Sequence, residues 1–184
     1  MKKIILTFGL VSGVVMSAMM VLTLPLHDRI GYGTGALVLG YTTMIAASLA
    51  IYFGVQRYRD QIAGGTVSFG RAFLVGAAIA CVASACYTAT WEVIYFNFAP
   101  DYLDKYQAYA LESARAKGAT AAELAQKRSE MARLAESYRN PVVNSALTFL
   151  EPMPVGLLVA LVSAGVLRRR RPEGSGAAEL ARVI

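Results

Sequence analysis

Two carboxylates stand where charge is costly. Glu92 closes the apolar run from Ala72 to Trp91, and Glu151 interrupts the apolar stretch from Pro141 to Leu167. An ionised carboxylate at the centre of a membrane-spanning helix costs about 2.5–3.5 kcal/mol on insertion scales, so such a residue is a candidate for binding or proton transfer. Tyr87, Trp91 and Tyr95 recur at every fourth residue beside Glu92, which puts them on one helix face. Glu92, Glu151, Tyr87, Trp91 and Tyr95 are therefore the candidate polar site within the membrane. Its chemistry would be to hold a proton, a cation or a cationic substrate. The plainer alternative is that each acid sits at an interface and bonds to water, a tyrosine hydroxyl or a loop arginine.

The residues after Glu151 are unusual. Pro152 and Pro154 cannot donate backbone hydrogen bonds and disrupt regular helix before them. With Gly156 they mark a helix break. A helix starting near Pro152 would place Glu151 by its N-terminus, where the dipole and free N–H groups favour an anion. Broken helices at membrane depth are tolerated where they line a cavity or are buried in protein.

Other chemistry finds little support. The single histidine, His27, lies beside Asp28 in a short loop, so no histidine pair exists for a metal. Ser12, Ser17, Ser48, Ser84 and Ser163 lie in apolar runs without a nearby base, and such serines commonly bond their own helix. Neither phosphate-cradling glycine motif is present. Cys81 and Cys86 are five residues apart, do not share a helix face, and read as small core residues. The expectation is a protein that is not an enzyme and holds no metal and no cofactor.

The elements that must position these groups follow from composition. The chain has 184 residues, 56% hydrophobic and 16% charged, where soluble domains are about a quarter charged. Mean hydropathy is +0.47. Four runs are long enough to span a bilayer, which takes about 20 apolar residues. The expected spans are about 4–26, 33–55, 71–97 and 145–167. In lipid a span must satisfy its own backbone, so each is a helix. The first run follows Lys2 and Lys3, as a signal peptide would. It is longer than a usual signal core, and Ser17-Ala18-Met19 is a poor cleavage site. It reads as an uncleaved span.

Net charge is +6. The basic residues flank apolar runs, which is a topology signal and not a nucleic-acid surface. Lys2, Lys3, Arg57, Arg59, Arg71, Arg168, Arg169, Arg170 and Arg171 fall on one side, and the 27–31 loop carries only Arg29. The long loop between the third and fourth spans has seven basic residues nearly balanced by six acids. The four arginines 168–171 are the topology anchors, and both termini are expected in the cytoplasm. Residues 101–139 read as a polar helical hairpin outside the membrane: one helix ends at Gly118, and Thr120 with Glu123 forms the capping box of the next.

Three stretches carry a family resemblance: "GGTVSFGRAFLVG", "YTATWEVIYFNFAPDYLDKY" and "YRNPVVNSALTFLEPMPVGLLVALVSAGVLRRR". With Val67, Phe69, Gly70, Ala72, Phe73 and Gly76 in the first, and Thr148, Glu151, Pro154, Val155 and Gly156 in the third, the chain resembles the bacterial domain of unknown function 4199 family over nearly its whole length. The resemblance implies a four-helix membrane protein of the bacterial inner membrane. It supplies no catalytic residues.

The expectation is thus an all-α polytopic protein. One domain covers 1–171, with four spans and an outer hairpin, and 172–184 form a short cytoplasmic tail. Its role reads first as an accessory or interaction protein, with the lipid bilayer around it and a protein partner at the hairpin. The alternative is a small transporter or a proton- or cation-binding protein using Glu92 and Glu151, and a membrane enzyme is weaker still. No nucleic acid is expected, and a homo-oligomer stays open.

Overall fold

The computed structural model describes residues 1–24 and 31–168. His27, Asp28 and Arg29, the anchors Arg169, Arg170 and Arg171, and the tail 172–184 lie outside the described residues. Among the described residues there are seven helices: α1 Lys2–Thr23, α2 Thr34–Gln61, α3 Phe69–Asn97, α4 Tyr102–Ala116, α5 Ala121–Tyr138, α6 Pro141–Leu150 and α7 Met153–Leu167. Helices α1, α2 and α3 are each long and apolar enough to cross a membrane, as is the combined segment Pro141–Leu167. The chain is built as a multi-pass membrane protein. At 1.5 Å per residue α7 alone is about 22 Å long, short of a 30 Å hydrocarbon core, so α6 is needed to complete the fourth span.

The packing register is set by small residues. A Cβ placed on Gly9 would lie 2.5 Å from the Val82 Cβ, and one on Gly13 would lie 2.5 Å from the Cys86 Cβ. Both residue numbers rise together, so α1 and α3 run parallel. Gly76 faces Ala160 and Gly156 faces Ala80, each at 2.8 Å from the added Cβ, so α3 and α7 run antiparallel. The Ser12 hydroxyl donates to the Ala47 carbonyl at 2.9 Å across α1 and α2. Such close contacts replace the hydrophobic drive that lipid cannot supply between helices. Lys2, Lys3, Arg57, Arg71 and Arg168 thereby gather at one end of the bundle, hereafter the basic end. The Tyr32, Trp91 and Glu151 end is the aromatic end.

The GxxxG spacing of Gly9 and Gly13, which permits close helix contact, recurs at Gly31 and Gly35 but makes no helix–helix contact there. Gly31 has φ +69 and precedes α2, while a Cβ on Gly35 would meet open space. The spacing matches, but the chain at Gly31 is not yet helical. Cys81 likewise departs from expectation, since it is exposed on α3. At 100° per residue it projects about 100° from the buried Ala80 and about 160° from the buried Ile79 and Ala83. Ser68 occupies the N-cap of α3 without a side-chain capping bond.

The core is not evenly distributed. Its main cluster includes Ile51, Val55, Ile79, Ala160 and Ala164, and a smaller one joins Met16, Met44 and Ala47. Beyond Met16, α1 has no buried residue; before Met44, α2 has none. Between α1 and α2, tight packing therefore stops part-way toward the aromatic end, while α3 and α6 remain packed there through Ile94, Tyr95, Asn144 and Thr148.

Outside the spans, Gly118 at φ +83 turns the chain from α4 to α5. Asp101 is held below the ordinary carboxylate range by its bond from Lys105. The Thr120 N–H donates to Glu123 at 2.7 Å, and the Glu123 N–H donates back to the Thr120 hydroxyl at 3.3 Å, completing the capping box. The Thr120 backbone bond, then its hydroxyl, lowers the Glu123 pKa. A depressed folded value means this capping bond stabilises α5 above the ordinary glutamate pKa and is lost as pH falls through the folded value.

Candidate functional site

Where the core stops, a cavity of about 190 Å³ opens between α1, α2, α3 and α4. Glu151 reaches it from the break in the fourth span. α6 ends at Leu150, Glu151 is its C-cap, and the buried Pro152 precedes α7. The break follows from chemistry: Pro152 and Pro154 cannot supply N–H groups to the carbonyls a turn before them. Glu151 lies outside the regular turns of both helices. Its carboxylate accepts a hydrogen bond from the Tyr87 hydroxyl at 3.2 Å. A hydroxyl bonded to a carboxylate usually lies at about 2.5–2.7 Å, so this contact is loose and leaves the anion able to take a further partner.

The wall is aromatic and soft. Trp91 meets Tyr102 edge-on at 5.0 Å, and Tyr102 meets Tyr32 edge-on at 5.4 Å. Tyr32 in turn meets Tyr106 at 5.9 Å. Met16, Met19, Met20 and Met44 line the α1–α2 side. Burial first, then Tyr32 and the Glu151 charge, pushes the Tyr102 hydroxyl up, so it stays protonated. Among the described lining residues Glu151 is the only acid, and no lysine or arginine joins it.

Trp91 is anchored from behind. Its indole N–H donates to the Asn144 side-chain oxygen at 3.0 Å. Asn144 is fully buried, also accepts from the Thr148 hydroxyl at 3.2 Å, and donates to the Tyr138 carbonyl at 3.4 Å. Tyr95 packs on Trp91 at 5.6 Å and against Tyr138 at 6.1 Å. It supports the wall and does not line the cavity.

Tyr87, Trp91 and Glu151 thus come together as the sequence suggests, and Glu92 does not join them. Five residues from Tyr87, it projects about 140° round the helix. Glu92 is half-buried, with Oε1 enclosed and without a hydrogen-bond partner among the described residues. Helix phase separates the two acids. Asn144 is the residue that sequence reasoning missed. Its signal was available: Asn144, Thr148 and Glu151 recur at i, i+4 and i+7, a polar stripe on one helix face.

Residues 7–169 match the sequence profile of a family described as "Protein of unknown function (DUF4199)". The chain belongs to this family. No curated protein and no solved structure matches it. Every described cavity residue, from Met16 to Glu151, falls within the DUF4199 region. So does the whole Asn144–Glu151 stripe.

Proposed function

We propose that the protein is a small, non-enzymatic cation-binding or transport protein of the membrane, with Glu151 as the anion that receives the cation. The observation that carries this reading is Glu151 as the single acid among the described lining residues of an aromatic and methionine cavity, with no basic residue among them. A cation over a tyrosine or tryptophan face gains about 0.5–2 kcal/mol. A unit charge pair at 4 Å gains about 4 kcal/mol at an effective dielectric of 20. Together these reach about 4.5–6 kcal/mol before desolvation and association costs, so the dissociation constant is expected at roughly 0.1 mM or weaker. The cavity is smaller than the roughly 300–1,000 Å³ of drug-sized sites, so it suits one small cationic group.

Trp91 is the only tryptophan, and it stands in the cavity wall. Titration of the full-length protein in nanodiscs with tetramethylammonium is expected to give a saturable change in its emission. Glu151→Gln is expected to weaken that response at least tenfold. An equal response from both proteins, or none from wild type, rules the reading out.

The basic end is assigned to the cytoplasm of a bacterial inner membrane, with both termini inside and α4 and α5 as a hairpin outside. The support is the concentration of Lys2, Lys3, Arg57, Arg59, Arg71 and Arg168 at that end, with three more arginines following Arg168 in the sequence. A second reading, an accessory protein that works through this hairpin, draws on α5, none of whose 18 residues is buried. A single cysteine at Ala121 tests the placement. Its labelling by an impermeant reagent in intact cells is expected, and labelling only after lysis overturns both the orientation and the exposed-hairpin reading.

A further inference from the structure

The cation site has a second feature that narrows its ligand. The cavity reaches from Glu151 to an unpacked, exposed seam between α1 and α2. Residues 17–23 of α1 and 34–43 of α2 include none that is buried. Leu37 and Tyr41 line the cavity and are also 59% and 52% exposed. Gly40 lines it too, and a Cβ there would meet open space. One end of the cavity is therefore an anion with aromatic faces, and the other is methionine, leucine and open helix flank.

We propose that the ligand is an amphiphilic monocation, one ammonium group on an apolar body, which arrives from the lipid between α1 and α2. This rests on the cation reading of Glu151. The ammonium sits against Glu151, Tyr87 and Trp91. The apolar body lies along Met20, Leu37 and Gly40. Methionine suits such a body because its flexible thioether adapts to different shapes. A phosphate-bearing or sulfate headgroup is disfavoured, because it would face the Glu151 carboxylate with no basic group among the described lining residues to offset the repulsion.

The test compares tetramethylammonium with octyltrimethylammonium on the full-length protein in nanodiscs, read by Trp91 emission. Each buried methylene strengthens binding about fourfold, so three or four of them give roughly a hundredfold preference for the octyl compound. Gly40→Phe fills the seam and is expected to cut that preference to less than about tenfold. Gly35→Phe, where a Cβ also meets open space but outside the cavity lining, is expected to retain it. Octyl sulfate is expected not to compete. A wild-type preference near one, with the tetramethylammonium response still dependent on Glu151, overturns the amphiphile and leaves the cation site standing. A preference unchanged by Gly40→Phe overturns the seam as the route. Loss of Glu151 dependence for both compounds overturns the underlying reading itself.

Discussion

Gly9→Ala combined with Gly13→Ala is expected to destabilise the bundle by more than about 3 kcal/mol, since overfilling a packed contact costs about 1–3 kcal/mol per site. Both added methyls would sit 2.5 Å from a partner Cβ, and both would also lie 3.2 Å from a carbonyl oxygen of α3, that of Ile79 or Ala83. Neither obstacle is the free end of a flexible side chain. Relief requires α1 to move away from α3, which also lengthens the Ser17 bond to the Cys86 carbonyl, now 3.5 Å. The same change at Gly165, where a Cβ meets open space inside α7, is expected to stabilise by about 0.5–1 kcal/mol from helix propensity. Thermal unfolding in detergent should therefore move in opposite directions for chemically identical substitutions. No loss of stability at Gly9 and Gly13 would remove close α1–α3 packing as the source of cohesion, and a loss at Gly165 would show that its face of α7 is not open.

That contrast marks what a sequence can carry. The spans were legible because charge-free runs of 20 or more residues have one solution in lipid. The Gly9–Gly13 motif was legible as a close-contact surface, yet its partner was not, because the partner depends on helix rotation. Gly31 and Gly35 repeat the pattern but form no shared helix face, since Gly31 lies outside the helix at positive φ against the Tyr109 ring and Gly35 meets open space. Helix rotation also decided the carboxylates. Depth along the chain placed Glu92 and Glu151 together, but depth counts residues and ignores phase. Only Glu151, released from regular helix by Pro152, reaches the cavity with Tyr87. The α4 tyrosines Tyr102 and Tyr106 come from a segment beyond the spans, so periodicity within the spans could not reveal that they complete the wall.

Asn144→Leu is expected to cost at least about 2 kcal/mol and to loosen the site. The leucine has the same number of side-chain heavy atoms but a bulkier tetrahedral end, so at this fully buried position overpacking adds to the lost polar bonding and about 2 kcal/mol is the lower bound. Three hydrogen bonds are lost: from the Trp91 indole, from the Thr148 hydroxyl and to the Tyr138 carbonyl. In soluble cores each unpaired partner would cost about 1–3 kcal/mol. Between membrane helices the measured average is about 0.6 kcal/mol per bond, because freed groups find other partners; Thr148 can turn to its own helix. The lower scale applies here and sets that lower bound. Stability is only half of the expected result. Trp91 loses its anchor, so its emission should shift and its ammonium response should weaken even though Glu151 is intact. A variant that melts 2 kcal/mol lower with an unchanged Trp91 signal would make Asn144 a brace for α6 alone. A variant that keeps wild-type stability and emission would mean that the Asn144–Thr148–Glu151 stripe does not tie the broken span to the cavity wall.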